Sequence, residues 1–145
     1  MAPATTVPDL QSPETAAAGI RAFFRLAELW SLTRPQMATL LGLRSTSTLD
    51  NWRRQPPSTL APDTLERISY LLHIHRSLRQ LLPAERAGEW PRRANSASPF
   101  LGRSALDFML QGRVQHLLDV HRYLKGWSRM PSDLGSHRMD RGSPH

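Results

Sequence analysis

The side chains best suited to chemistry in this chain lie in one short run, Ser45-Thr46-Ser47-Thr48-Leu49-Asp50-Asn51-Trp52-Arg53-Arg54. Hydroxyls bond phosphates or base edges, an asparagine amide matches adenine, and a guanidinium serves either phosphate or guanine. Carried on a helix in a major groove, Ser45, Thr46, Ser47, Asn51, Arg53 and Arg54 form the expected DNA-contacting set. Each good bidentate pair contributes about 1–3 kcal/mol of base preference. Asp50 repels phosphate unless Arg53 or Arg54 neutralises it, or unless it accepts from a cytosine amine. The same run also fits an ordinary helical hairpin that touches no nucleic acid.

Other reactive groups do not assemble into a site. His73 and His75 stand two apart and so face different sides of a helix. There is no His-Glu-x-x-His and no carboxylate cluster, so no metal site is expected. His121 reads as a partly buried packing residue with a carbonyl partner. Ser104 and Asp107 have no His or Lys at an activating spacing, and capping of a helix accounts for both. The four tryptophans are scattered as core anchors rather than arrayed as a base-stacking platform. No catalytic residue and no cofactor are expected, and the chain does not read as an enzyme.

Those residues need elements to position them, and the pattern is helical throughout. Ile20, Phe23, Phe24, Ala27 and Trp30 recur at helical spacing, which predicts a helix from near Glu14 or Thr15 to Trp30. Thr33-Arg-Pro-Gln36 is a capping-box pattern opening a short helix to about Leu41, and Gly42 ends it. The polar run then supplies a second short helix beginning near Ser45, with Leu49 and Trp52 inward and Gln55-Pro56-Pro57 as its stop. Together the two make a helix-turn-helix, with Met37, Ala38, Leu40 and Leu41 as further packing residues. A longer helix from Thr64 to Leu82 carries a wide apolar stripe and is expected at the centre of the fold.

Beyond Pro83 come one or two turns, Ala84 to Glu89, and then a Pro- and Ser-rich crossing from Trp90 to Pro99. Gly102 and Gly112 bracket a short helix, Ser104 to Gln111, and a last helix runs from Arg113 to Lys125. A helix of about two turns is unstable unless it packs. Leu106, Phe108, Met109 and Leu110 are more apolar than one face needs, and Val120 and Tyr123 widen the stripe of the last helix. These residues are either core or contact surface, and a chain of this size has little interior in which to hide them. The organisation expected is a disordered leader over 1–14, a helix-turn-helix domain over 15–83, a second helical unit over 84–127 and a flexible tail over 128–145.

Composition bounds the partners. The chain has 145 residues, a net charge of +7, 19 basic residues of which only Lys125 is a lysine, and no cysteine. Such a balance favours polyanions, and the missing thiols exclude disulfides and cysteine-held zinc. No run approaches the roughly 18 apolar residues of a spanning helix, and the first residues lack the pattern of a signal peptide. A cytoplasmic protein with no membrane partner is expected.

Trp90-Pro91, then Leu101-Gly-Arg-Ser-Ala-Leu-Asp-Phe-Met-Leu-Gln-Gly112, then Val114, Leu118, Tyr123 and Gly126 resemble the toxin-binding domain of the Xre/MbcA/ParS antitoxins. Residues Ile20 to Leu82 resemble the Xre-type helix-turn-helix that accompanies it, so the likeness spans roughly residues 16–127. The resemblance implies an all-α, homodimeric antitoxin of a type II toxin–antitoxin system. Its partner would be a RES-domain toxin that consumes NAD, neutralised by occlusion of the toxin's active site. It also implies repression of the antitoxin's own operon through double-stranded DNA binding. Toxin contact is then expected at Leu101, Arg103, Phe108, Met109, Gly112, Val120, Tyr123 and Trp127. Two features depart from the family: Ala105 stands where many relatives have proline, and the turn between the DNA helices is one residue longer than the commonest spacing. A different outcome of the same layout is a helix-turn-helix transcription repressor whose C-terminal part only dimerises.

Overall fold

The computed structural model describes residues 13–128. Helices α1 (Pro13–Leu29), α2 (Arg34–Leu41), α3 (Ser47–Arg54) and α4 (Pro62–Leu81) are followed by α5 (Ala84–Glu89) and a 3-10 turn, Trp90–Arg92. Then come α6 (Ala105–Met109) and α7 (Val114–Ser128). The all-α class holds. Among the described residues the extended pairing is one isolated antiparallel bridge between Ala94 and Ser104. The expected leader and tail fall largely on residues 1–12 and 129–145, outside the described residues.

Local chemistry explains most of the boundaries. Thr33 Oγ1 accepts from the Gln36 amide at 3.2 Å while Gln36 Oε1 accepts from the Thr33 amide at 2.9 Å, which is the capping box expected for α2. Gly42 takes φ 74°, and the amides of Gly42 and Leu43 donate to Thr39 O and Ala38 O at 3.1 and 2.8 Å. This paired closure satisfies carbonyls that a helix end otherwise leaves without donors. The end of α1 closes in the same way with no glycine: Ser31 sits at φ 56°, and the amides of Ser31 and Leu32 donate to Glu28 O and Ala27 O. Ser104 Oγ accepts from the Asp107 amide at 3.0 Å and caps α6. That helix ends at Met109, two residues short of the expected Gln111, because Gln111 and Gly112 close back by three-residue bonds to Phe108 O and Met109 O.

One continuous core joins the two expected domains. Helix α4 is central, as its stripe predicts; it packs most extensively on α7 and next on α1. Ile20, Phe23 and Leu26 of α1, Trp30 directly after it, Leu71, Ile74 and Leu78 of α4, and Val120 and Leu124 of α7 are all buried. Buried residues from both sides of the boundary expected at residue 83 thus belong to one core. At Gly88 a β-carbon would lie 2.9 Å from Leu29 O, so that glycine lets α5 close against the end of α1.

Candidate functional site

The helix pair α2–α3 is held by α4. Thr64 Oγ1 donates to Leu41 O at 3.1 Å, and Arg67 Nη1 approaches Thr39 O at 3.5 Å. Arg67 is only 9% exposed and pairs with Asp63 at 2.8 Å. Thr64 thus takes up a carbonyl at the end of α2, and Arg67 adds a second donor to Thr39 O, which already accepts from the Gly42 amide. A β-carbon at Gly42 would lie 2.7 Å from Asp63 Oδ2 and 2.8 Å from Arg67 Nε, so the turn and this latch occupy adjoining space. Neither Thr64 nor Arg67 carries a sequence signal for the role, since the contacts cross 23 and 28 residues.

Helix α3 is fixed by buried Leu49 and half-buried Trp52, which leaves Ser47, Asn51 and Arg54 exposed on its other side and Arg53, four residues on from Leu49, exposed at the edge of the packed face. The helix begins at Ser47, so Ser45 and Thr46 precede it rather than open it. Ser45 Oγ accepts from the Ser47 amide at 3.1 Å and lies 2.7 Å from Ser47 Oγ, while the Thr46 side chain makes no cap. Ser45 therefore stabilises the helix start as well as facing solvent.

The arginines are not loose cations. Arg54 Nη2 donates to Asn51 Oδ1 at 2.5 Å, and the Arg53 guanidinium lies 4.1 Å over the Phe24 ring of α1. Stacking holds Arg53 in place while its N–H edges stay available. Asp50 differs from expectation: its partner is Arg34 of α2 at 2.5 Å, not Arg53 or Arg54. A pairing across 16 residues has no local signature. Its effect is to neutralise the one carboxylate in α3 and to tie the two helices across their turn.

The C-terminal residues divide by burial. Leu101 is 76% exposed and Arg103 is exposed, while Gly112 and Tyr123 are partly covered. Met109 and Val120 are core, at 1% and 0% exposure, and Phe108 and Trp127 are buried as well. Those four therefore pack in this chain and present little surface; an apolar excess on a short helix is absorbed by aromatic packing. Phe100 meets Phe108 edge-on at 5.6 Å and Tyr123 at 5.1 Å, and Trp90 stacks on Tyr123 at 6.1 Å. Trp127 lies 6.5 Å from Trp90, so two tryptophans 37 positions apart share one cluster.

Between α5 and α6 the chain closes into a framed loop. The Asn95 amide donates to Arg103 O at 3.0 Å, and the Gly102 amide donates to Asn95 O at 2.8 Å. The buried Asn95 side chain accepts from the Ala97 amide at 2.9 Å. Asparagine bonding to a backbone two residues ahead is a turn former with a sequence signature, here ahead of Ser96-Ala97-Ser98-Pro99.

The histidines form no metal cluster among the described residues. His73 of α4 and His121 of α7 approach within 5.6 Å, and Tyr70 lies 6.0 Å from His121. Burial foremost, then Arg76 and Lys125, lower the pKa of His73. Burial foremost, then His73, Lys125 and Arg122, lower that of His121. The buried Nδ1 of His121 has no hydrogen-bond partner, so the carbonyl expected beside this residue is not found at that nitrogen. Among the described residues no helix is long and apolar enough to cross a membrane.

Residues 9–73 match the antitoxin Xre-like helix-turn-helix domain family. The chain is also 44% identical over 108 residues to the uncharacterized protein y4oB of Sinorhizobium fredii (strain NBRC 101917 / NGR234). That likeness covers 74% of this chain and 81% of the rhizobial protein.

Proposed function

Because the chain belongs to the family of the rhizobial protein y4oB and carries an antitoxin Xre-like helix-turn-helix domain, we propose that it is the antitoxin of a type II toxin–antitoxin system. It binds a RES-domain, NAD-consuming toxin, neutralises it by occluding the active site, and represses its own operon as a homodimer. The observation that carries this reading is the antitoxin class of the helix-turn-helix, joined to the Trp90–Gly126 sequence that resembles the MbcA/ParS toxin-binding domain. Within that unit the contact falls to exposed Leu101 and Arg103 and to the accessible parts of Gly112 and Tyr123. DNA contact falls to Ser47, Asn51, Arg53 and Arg54, with Ser45 and Thr46 at the helix entrance.

Co-expression with a RES-domain protein encoded beside this gene tests the toxin half. A stoichiometric complex that survives high salt and suppresses NAD consumption is the expected result. No complex, with operator binding intact, would instead identify a repressor whose C-terminal part only dimerises. Operator affinity of Arg53→Ala and Arg54→Ala at fixed salt tests the DNA half. Each should bind more weakly and with a shallower salt dependence, because phosphate contacts release counterions. Wild-type affinity in both would remove α3 as the reading helix.

A further inference from the structure

We propose that Leu101 is a preorganised anchor that inserts into an apolar, carboxylate-rimmed pocket on the partner protein. The inference rests on the antitoxin reading and specifies the chemistry of its partner contact. Leu101 combines two properties that packing does not explain. Its side chain is 76% exposed, and its backbone sits at φ 54°. A β-carbon disfavours that left-handed conformation, and glycine or asparagine would adopt it with less strain. A solvent-facing leucine recovers nothing from the core in exchange. Strain kept at an exposed apolar residue points to a contact made outside the chain.

The loop holds the side chain outward. The Leu101 amide donates to Ala97 O at 3.0 Å, and the Arg103 amide donates to Phe100 O at 3.1 Å. The bridge between Ala94 and Ser104 closes the base, and the two backbone bonds of Asn95 cross the loop. Directly before Leu101, Phe100 is buried in the aromatic cluster and pins the tip to the body. Leu101 therefore has little conformational freedom to lose on binding, which is what an anchor residue requires.

Charge identifies the rim. Residues 89–107 carry Arg92, Arg93 and Arg103 against Glu89 and Asp107, which leaves the segment net positive. Arg93 pairs with Glu89 at 3.4 Å, and Arg92 and Arg103 are exposed. A pocket with an apolar floor and acidic edges complements this arrangement. A leucine with an arginine two residues on also suits insertion between DNA bases. The loop, however, is carried by the 3-10 turn and α6, which pack on each other, with α6 also resting on α7, whereas the α2 support helix rests on α4. A protein partner fits that separation better.

The full-length chain should be tested as wild type, Leu101→Gly and Leu101→Asp against the RES-domain protein from the adjacent gene. Leu101→Gly relieves the left-handed backbone, so its melting temperature should hold or rise, while its Kd for the toxin weakens about tenfold or more. Leu101→Asp should weaken binding further by facing the acidic rim, and operator affinity should not change in either. If the wild type forms no complex, the antitoxin reading fails and takes this inference with it. If the wild type binds and Leu101→Gly binds equally well, only the anchor is refuted. Loss of operator binding with an intact toxin complex would assign Leu101 to DNA, and loss of a homodimer alone would assign it to self-association; either overturns the proposal.

Discussion

Gly42→Ala is the most informative single change for the helix-turn-helix. The residue holds φ 74°, where an alanine costs about 1 kcal/mol relative to glycine. The new β-carbon would also stand 2.7 Å from Asp63 Oδ2 and 2.8 Å from Arg67 Nε. Both neighbours are side chains, so they can yield, but only by opening the Asp63–Arg67 pair and pulling Arg67 from Thr39 O. Arg67 is nearly buried while Asp63 is half exposed, which sets this second cost at about 1–2 kcal/mol rather than that of a fully buried pair. The sum is about 2–3 kcal/mol, or a fall in melting temperature of roughly 8–12 °C for a domain of this size. Urea unfolding followed by circular dichroism measures it. A double-mutant cycle isolates the ion pair: in an Asp63→Ala background, Gly42→Ala should cost less than in the wild type, because only the backbone term and the shift of Arg67 remain. Strict additivity of the two substitutions would refute the claim that turn and latch compete for the same space.

Three other outcomes follow from the contacts described. Arg34→Ala should change stability by no more than about 1 kcal/mol, since both partners are substantially exposed. It should nevertheless weaken operator binding several-fold by uncovering Asp50, with Asp50→Asn restoring the loss; fluorescence anisotropy at fixed salt decides this. Asn95→Ala should cost about 1–3 kcal/mol by removing a buried acceptor, and the Ala97 amide should exchange with deuterium faster; unchanged exchange there would mean the side chain does not frame the loop. Because burial and neighbouring cations lower the pKa values of His73, His75 and His121, the unfolded chain takes up protons first as pH falls. Stability from this source is therefore complete above about pH 6.5 and declines as pH drops toward the folded values. Denaturation midpoints at pH 8.0, 6.5 and 5.5 should show the decline, and His73→Gln/His121→Gln should flatten part of it. A wild type equally stable at all three would contradict the burial of these rings.

Helix order was legible because it depends on neighbours in the chain. Thr33, Gln36 and Gly42 mark both ends of α2, and the apolar stripe on Leu65, Ile68, Leu71, Ile74 and Leu78 marks α4 as central. The end of α1 was less visible, since Ser31 takes the left-handed position that glycine usually signals. The site was legible in part. The run from Ser45 to Arg54 names the exposed residues of α3, but not that Ser45 caps, that Phe24 carries Arg53, or that Arg34 covers Asp50.

What the sequence determined by itself was the all-helical class, the helix-turn-helix with its outward polar set, and a short apolar block bracketed by Gly102 and Gly112. All of these rest on periodicity, capping and turn chemistry, which act over a few residues. Only the tertiary structure decided the fate of that block. An apolar residue on a short helix reads the same whether it packs inward or awaits a partner, and the choice depends on what lies opposite. Phe100 and His116 meet the Phe108 ring and Met109 lies in the common core, so both are interior. The exposed position falls instead to Leu101, where backbone bonds across the loop hold a leucine outward in a conformation its own β-carbon opposes.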